Sequence, residues 1–338
     1  MNQSFSEKMR WMTFICSIFI ALLHLSVPFT NNGQWIIQYY QQLAIPAMSF
    51  FFFSSAYFHY RNYCQADYAA KLKRRIATLL IPYIIWNFID YVVCAIAGYI
   101  TPSVTGIVKM LIFVYIPVID VVHEPMLGAL WFIIRLLTYE IAAPVFLAII
   151  KKKYIFYPLM VSIIIFNYGC NVNYYAFIYW MPVYLAGAYL AYHKKDKLEK
   201  KLGIIENQGT IKDRCLSIAL TILAYALYGG YVYFLWKKQI DYTAARYLAI
   251  PIILICVYLI RYLPEKIWIV KHGSFFLYCS HVPLRMALTS VLWPMASILG
   301  EVWYPQIYLF SIIIISFVLE WIIYKLCPKM HAVLTGSR

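Results

Sequence analysis

Acidic side chains are what this chain has least of: its 338 residues include 14 Asp and Glu, against 29 Lys and Arg. Charged residues of both signs make up 13% of the sequence, about half of the roughly 25% usual in soluble domains. No segment alternates apolar and polar residues with period two, which argues against a membrane β-barrel. The eight cysteines form no CxxC pair and lie almost wholly within apolar runs or basic segments. They imply neither a disulfide framework nor a metal site, and packing as small hydrophobes is their plainer role. The first apolar run lacks a small-x-small cleavage site, so it reads as a retained span and not as a cleaved leader. A water-soluble enzyme, a disordered chain and a secreted disulfide scaffold are excluded on these grounds.

What the chain has in abundance is apolar surface, at 63% of residues. A soluble fold of this size could not hide it, because part of the chain surface always stays wet. Apolar runs of membrane-spanning length occur at about 11–29, 43–60, 77–99, 126–150, 154–170, 173–192, 215–236, 243–262, 273–296 and 304–326. The expected fold is therefore all-α: a polytopic integral membrane bundle of about ten helices, forming a single domain over 1–338. With the N-terminus in the cytosol, nearly all Lys and Arg fall on inner segments. The exceptions are Lys109, Lys237, Lys238 and Arg246 on outer segments, and Arg135 and Arg285 within spans. This asymmetry places both termini in the cytosol and accounts for the net charge of +15 without nucleic acid. Residues 99–125 are expected to lie at the outer face as an interfacial or re-entrant segment, because Lys109, Pro117 and Asp120 interrupt them. Residues 193–214 read as a Lys-rich cytosolic loop beside anionic lipid. The expected location is the cell's inner (plasma) membrane.

Ionisable side chains inside such spans cost about 2.5–3.5 kcal/mol each on insertion scales, so they mark cavities or structural pairs. His24 lies late in the first span, where a neutral imidazole suits either a general base or a hydrogen bond between helices. Ser274, Tyr278, His281 and Arg285 follow one another at spacings of four, three and four, which stacks them on one helical face. That stripe lines a cavity or glues helices together. Trp131 and Arg135 are four apart, and Arg135 either binds an anionic ligand or pairs with Asp90 or Glu320. Glu140 and Glu320 read as partners for basic residues. The run Lys71, Lys73, Arg74 and Arg75 either touches anionic lipid or grips the phosphates of a cytosolic donor.

Several motifs together resemble the family-three membrane acyltransferases. His24 is followed by Phe50-Phe51-Phe52-Phe53-Ser54-Ser55-Ala56-Tyr57-Phe58, similar to that family's FFxxSGY run. Lys73-Arg74-Arg75-Ile76 leads into Leu79-Leu80-Ile81-Pro82-Tyr83-Ile84-Ile85-Trp86, Leu130-Trp131-Phe132-Ile133-Ile134-Arg135 follows, and Ser274 to Pro283 fits an S-x3-Y-x2-H-x-P pattern. The likeness extends in order from about residue 8 to 326. It implies an enzyme that moves an acyl group, usually acetyl, from acyl-CoA (acetyl-CoA as the commonest case) to a hydroxyl of a cell-surface glycan or lipid-linked sugar. No bound cofactor is implied; acyl-CoA is a co-substrate. The family's essential His maps to His24 and its inner basic residue to Arg75, with Arg74, Lys73 and Arg10 as further donor-binding candidates. Tyr278, His281, Arg135, Trp131 and Ser274 would line the cavity or steady an oxyanion. Three positions depart from the pattern. Thr13 stands where many members have Arg or Lys, Thr78 replaces a second basic residue after Arg75, and Ala56 replaces the Gly of the SGY run. A transporter or flippase for a glycan or lipid precursor, or a non-catalytic component of a polysaccharide assembly, fits the same ten spans. The oligomeric state does not follow from the sequence.

Overall fold

The computed structural model describes residues 3–24, 34–63, 65–107, 128–205, 211–263 and 267–336, and all regular structure among them is helical. Helix α1 (Gln3–Leu23) begins earlier than its apolar run. The cause is a stripe of Phe5, Met9, Met12, Cys16 and Ile20, at spacings of four, three, four and four, which is buried along its whole length. That stripe packs on α2 (Gln34–Tyr60), the central helix of the bundle. Around α2 also lie α8 (Phe177–Leu202), α9 (Ile211–Trp236) and α10 (Tyr242–Leu259). The approach of α2 and α8 depends on Gly187: a Cβ there would collide with the carbonyl of Phe53 and come within 3.2 Å of the Ala56 Cβ.

The basic run forms α3 (Tyr68–Arg75), which continues through a π-helical turn at Ile76–Leu80 into α4 (Ile81–Ile96). The expected single span over 126–150 is instead broken into α5 (Trp131–Ile141) and α6 (Ala143–Lys151), bent by 63°. Pro144 explains the bend, since its ring would clash with the carbonyl of Glu140 if the helix ran straight. After α7 (Lys153–Gly169), α8 carries on to Leu202, well past the apolar run. The expected loop over 193–214 is thus largely helical, with only 203–210 between α8 and α9. Lys and Glu are good helix formers, and Glu199 is buried in this extension against Arg61, whose Nη2 lies 2.6 Å from its Oε2. The chain ends in α11 (Trp268–Leu292), α12 (Ala296–Leu326) with a kink at Gly300, and α13 (Pro328–Thr335). Most of the expected outer segment, 108–125 of 99–125, lies outside the described residues.

Among the described residues, five helical runs are long and apolar enough to cross a membrane: 68–96, 211–236, 242–259, 268–300 and 302–326. The bent pair α5–α6 makes a sixth. Their outward faces carry exposed Ile222, Phe310, Ile314 and Val318, side chains that lipid solvates and water does not. The protein is therefore a helical, multi-pass membrane protein. The spans read at 11–29, 43–60, 154–170 and 173–192 correspond to α1, α2, α7 and α8. These are less apolar or shorter, with Glu7, Lys8 and Arg10 in α1, Gln and Tyr in α2, and a Lys-rich second half in α8.

Candidate active site

Helices α1 and α11 lie side by side, so the polar stripe of α11 runs along the inside of the bundle. Two cavities open on it. The larger, of about 670 Å³, is lined by His24 at the end of α1, Asp90 of α4, Trp131 of α5, Arg246 of α10, and Tyr278 and Arg285 of α11. The smaller, of about 270 Å³, is lined by Arg10 and Thr13 of α1, Ser54 and Ser55 of α2, Arg75, and Lys271, His272, Ser274 and Tyr278. Arg10 and His24 stand about 20 Å apart along α1, so the cavities occupy different depths of the bundle. Tyr278 belongs to both. Its ring lies 6.4 Å from that of Phe51 and 6.1 Å from that of Phe132, and its hydroxyl donates to the carbonyl of Ala129.

His24 is half-buried and follows the last helical turn of α1. Arg285 fixes that helix end: its Nη1 donates to the His24 carbonyl at 3.0 Å. A cation satisfying a terminal carbonyl is favourable at a helix C-terminus. The His24 ring sits 5.1 Å from the ring of His281, which is only 1% exposed. His281 Nδ1 donates to the Leu277 carbonyl at 3.2 Å, while its Nε2 has no hydrogen-bond partner. A ring whose Nδ1 carries the proton presents a lone pair at Nε2. Asp90 is buried and its Oδ1 has no hydrogen-bond partner.

At the smaller cavity, Arg75 keeps part of its side chain exposed and lies 3.5 Å from Glu140 Oε1. Glu140 also pairs with His59 Nδ1, so its carboxylate sits between two basic side chains at the α5–α6 break. The π-helical turn directly after Arg75 changes the angular register between α3 and α4; such turns recur at functional sites.

The structure brings His24, Tyr278, Trp131, Ser274, Arg75 and Arg10 to the two cavities; His281, expected to line the cavity, instead lies buried beside the His24 ring and lines neither. The structure does not bring Lys73, Arg74 or Arg135 to either cavity. Lys73 and Arg74 are exposed, because the three consecutive basic residues at the end of α3 point in different directions around the helix. Arg135 is buried and donates to the carbonyl of Tyr175, with Phe177 below its guanidinium at 5.9 Å. It ties down the chain entering α8, and it forms no ion pair with Asp90 or Glu320. Glu320 instead lies 3.2 Å from His331 Nε2. Among the charged and imidazole side chains described in the cavity linings, three escape sequence reasoning: Arg246, Lys271 and His272. The first two look like ordinary flanking charges of a span, and His272 lies just before the stripe.

A family model described as an acyltransferase domain, Acyl_transf_3, matches residues 7–325. No curated protein and no solved structure matches the chain.

Proposed function

The chain belongs to acyltransferase family 3, and on that premise we propose that it is an inner-membrane O-acyltransferase taking acyl groups from cytosolic acyl-CoA to a hydroxyl of a cell-surface glycan or lipid-linked sugar. The acyl group we favour is acetyl. In this reading α1, α2, α7 and α8 cross the bilayer with the six apolar spans, making ten crossings with both termini in the cytosol. The observation that carries the proposal is the pair of cavities meeting at Tyr278, one holding an accessible imidazole and the other a cluster of cations.

Arg10, Arg75, Lys271 and His272 hold the donor's phosphates at the cytosolic rim, since charge-assisted hydrogen bonds to phosphate are strong. The pantetheine arm reaches along the smaller cavity and presents the thioester at Tyr278. The acceptor enters the larger cavity. His24 takes the proton from its hydroxyl as the oxygen attacks the thioester carbonyl. The tetrahedral intermediate collapses, the carbon–sulfur bond breaks, and the His24 imidazolium returns the proton to the departing thiolate. The products are the O-acyl ester and free CoA. His281 and Arg285 position His24, one beside its ring and one at its carbonyl. Arg285 also supplies a positive charge to the developing oxyanion.

The test is acyl-CoA turnover by purified His24→Ala protein. We expect a loss of about 10²–10⁴-fold, the usual range for a general base. Turnover at the wild-type rate would sink the mechanism. Mass spectrometry of the surface glycan separates the enzyme from a transporter: deletion of an acyltransferase removes the ester mass, whereas deletion of a transporter changes the amount of glycan and leaves its ester content intact.

A further inference from the structure

We infer that the larger cavity takes an acceptor carrying a negative charge, an oxyanion on the sugar that docks on Arg246. This deepens the acyl-transfer reading and rests on it. Arg246 lies one turn into α10 with its guanidinium 4.4 Å from the ring centre of Tyr174, 4.9 Å from that of Tyr179 and 5.6 Å from that of Trp180. One terminal nitrogen donates to the Tyr179 hydroxyl, and its buried Nε has no hydrogen-bond partner. A guanidinium offers five donors in a planar fork that matches a carboxylate or phosphate, so Arg246 has capacity unspent. Among the described residues, no carboxylate lies within ion-pair distance of it. The cavity's other arginine, Arg285, shares the space with Asp90, which offsets its charge; among the described residues Arg246 has no such counterpart. A cation held among aromatic rings without a counter-ion is costly, and a ligand that brings one recovers that cost.

The surroundings fit a sugar. Trp131, Tyr174, Tyr175 and Tyr242 supply ring faces and hydroxyls around the same space. Gln42 donates to the Tyr242 hydroxyl at 3.3 Å and leaves its buried Oε1 unpartnered, an acceptor for a sugar hydroxyl. His24 lines the same cavity, so an acceptor anchored by its anion at Arg246 presents its hydroxyls toward the imidazole.

The test is ligand-observed saturation-transfer NMR on the full chain in lipid nanodiscs, with methyl glucoside, methyl glucuronide and glucose 6-phosphate. We expect both anionic ligands to bind wild-type protein at least about tenfold more tightly than the neutral one. Arg246→Gln should bring that ratio near unity, and Arg246→Lys should keep part of it, as a point charge without the fork. A lead of the glucuronide over the phosphate identifies a uronate acceptor; the reverse order identifies a sugar phosphate. Equal binding of all three to wild type, no binding by any, or a ratio undiminished in Arg246→Gln would overturn the inference. The wild-type ratio needs no variant to fold. The parent reading fails by a separate result, unchanged acyl-CoA turnover in His24→Ala, which does not depend on the charge of the sugar.

Discussion

Tyr278 offers the sharpest perturbation, because among the described residues it alone lines both cavities. Two substitutions separate its ring from its hydroxyl. Tyr278→Phe keeps the ring packed against Phe51 and Phe132 and removes only the bond to the Ala129 carbonyl. Ala129 is itself 4% exposed, so its carbonyl loses a partner with little access to water, at a cost of about 1–3 kcal/mol. Tyr278→Ala removes the ring. Truncating a buried aromatic costs about 3–5 kcal/mol, and here it also opens the wall between the two cavities. Water from the acceptor side then meets the thioester beside His24. The expected outcome is a change in partition. With acyl-CoA and acceptor both present, Tyr278→Ala should hydrolyse the thioester faster relative to transfer by about an order of magnitude, whereas Tyr278→Phe should transfer at a reduced rate and leak little. The assay is paired release of free CoA and formation of acylated acceptor, on protein that remains monodisperse by size-exclusion chromatography. A hydrolysis-to-transfer ratio in Tyr278→Ala equal to wild type would refute the idea that this ring separates two connected spaces.

Arg10→Ala and Arg75→Ala should each raise KM for acyl-CoA by about tenfold or more, in line with the 1.5–3 kcal/mol of a hydrogen bond to a charged group. KM for the acceptor should barely move, while Lys73→Ala and Arg74→Ala, exposed and outside the cavity, should change the donor KM less than twofold; initial-rate kinetics at varied donor concentration reads all four. Gly187→Ala should destabilise the α2–α8 contact by about 1–3 kcal/mol through overpacking against Phe53. Gly229→Ala in α9, with open space around it, should be neutral or stabilising by up to about 1 kcal/mol; thermal denaturation in detergent ranks the pair.

The helical class and the inward stripe of α11 were readable because they depend on periodicity alone: the spacing of Ser274, Tyr278, His281 and Arg285 fixes a common face whatever surrounds it. What that face meets was not readable, since α1 and α10 are distant in sequence. The extension of α8 was missed for a related reason. Hydropathy treats a Lys-rich stretch as the end of a span, whereas the helix continues as long as its backbone bonds are favourable and Glu199 has Arg61 to pair with. Pro144 was visible, yet a window of membrane-spanning length averages across a bend. Arg246 was read as an outer flanking charge, because no local pattern distinguishes an arginine facing lipid headgroups from one folded under Tyr174, Tyr179 and Trp180.

The three departures from the family pattern acquire physical meaning from their neighbours. Thr13 lines the smaller cavity with its hydroxyl turned back to the Met9 carbonyl at 2.8 Å, so it contributes no charge there. Arg10, almost one turn earlier, and Lys271 and His272, across on α11, face the same space. The cationic character at this depth is therefore spread over two helices. Thr78 lies under the C-terminal helix: a Cβ on Gly336, which takes the left-handed conformation that ends α13, would strike the Thr78 carbonyl. Trp86 Nε1 donates to the Leu334 carbonyl at 3.0 Å and holds α13 in place. The approach is made by the Thr78 backbone, so α13 closes over the α3–α4 junction at this residue. Ala56 and Gly187 form a matched pair at the α2–α8 crossing, with the smaller residue placed on α8 instead of α2. At Thr13 and Ala56 the feature the resemblance leads one to expect is carried by a neighbour in space, the cations of Arg10 and Lys271 in one case and Gly187 in the other, whereas at Thr78 the position is taken up by packing against the end of α13.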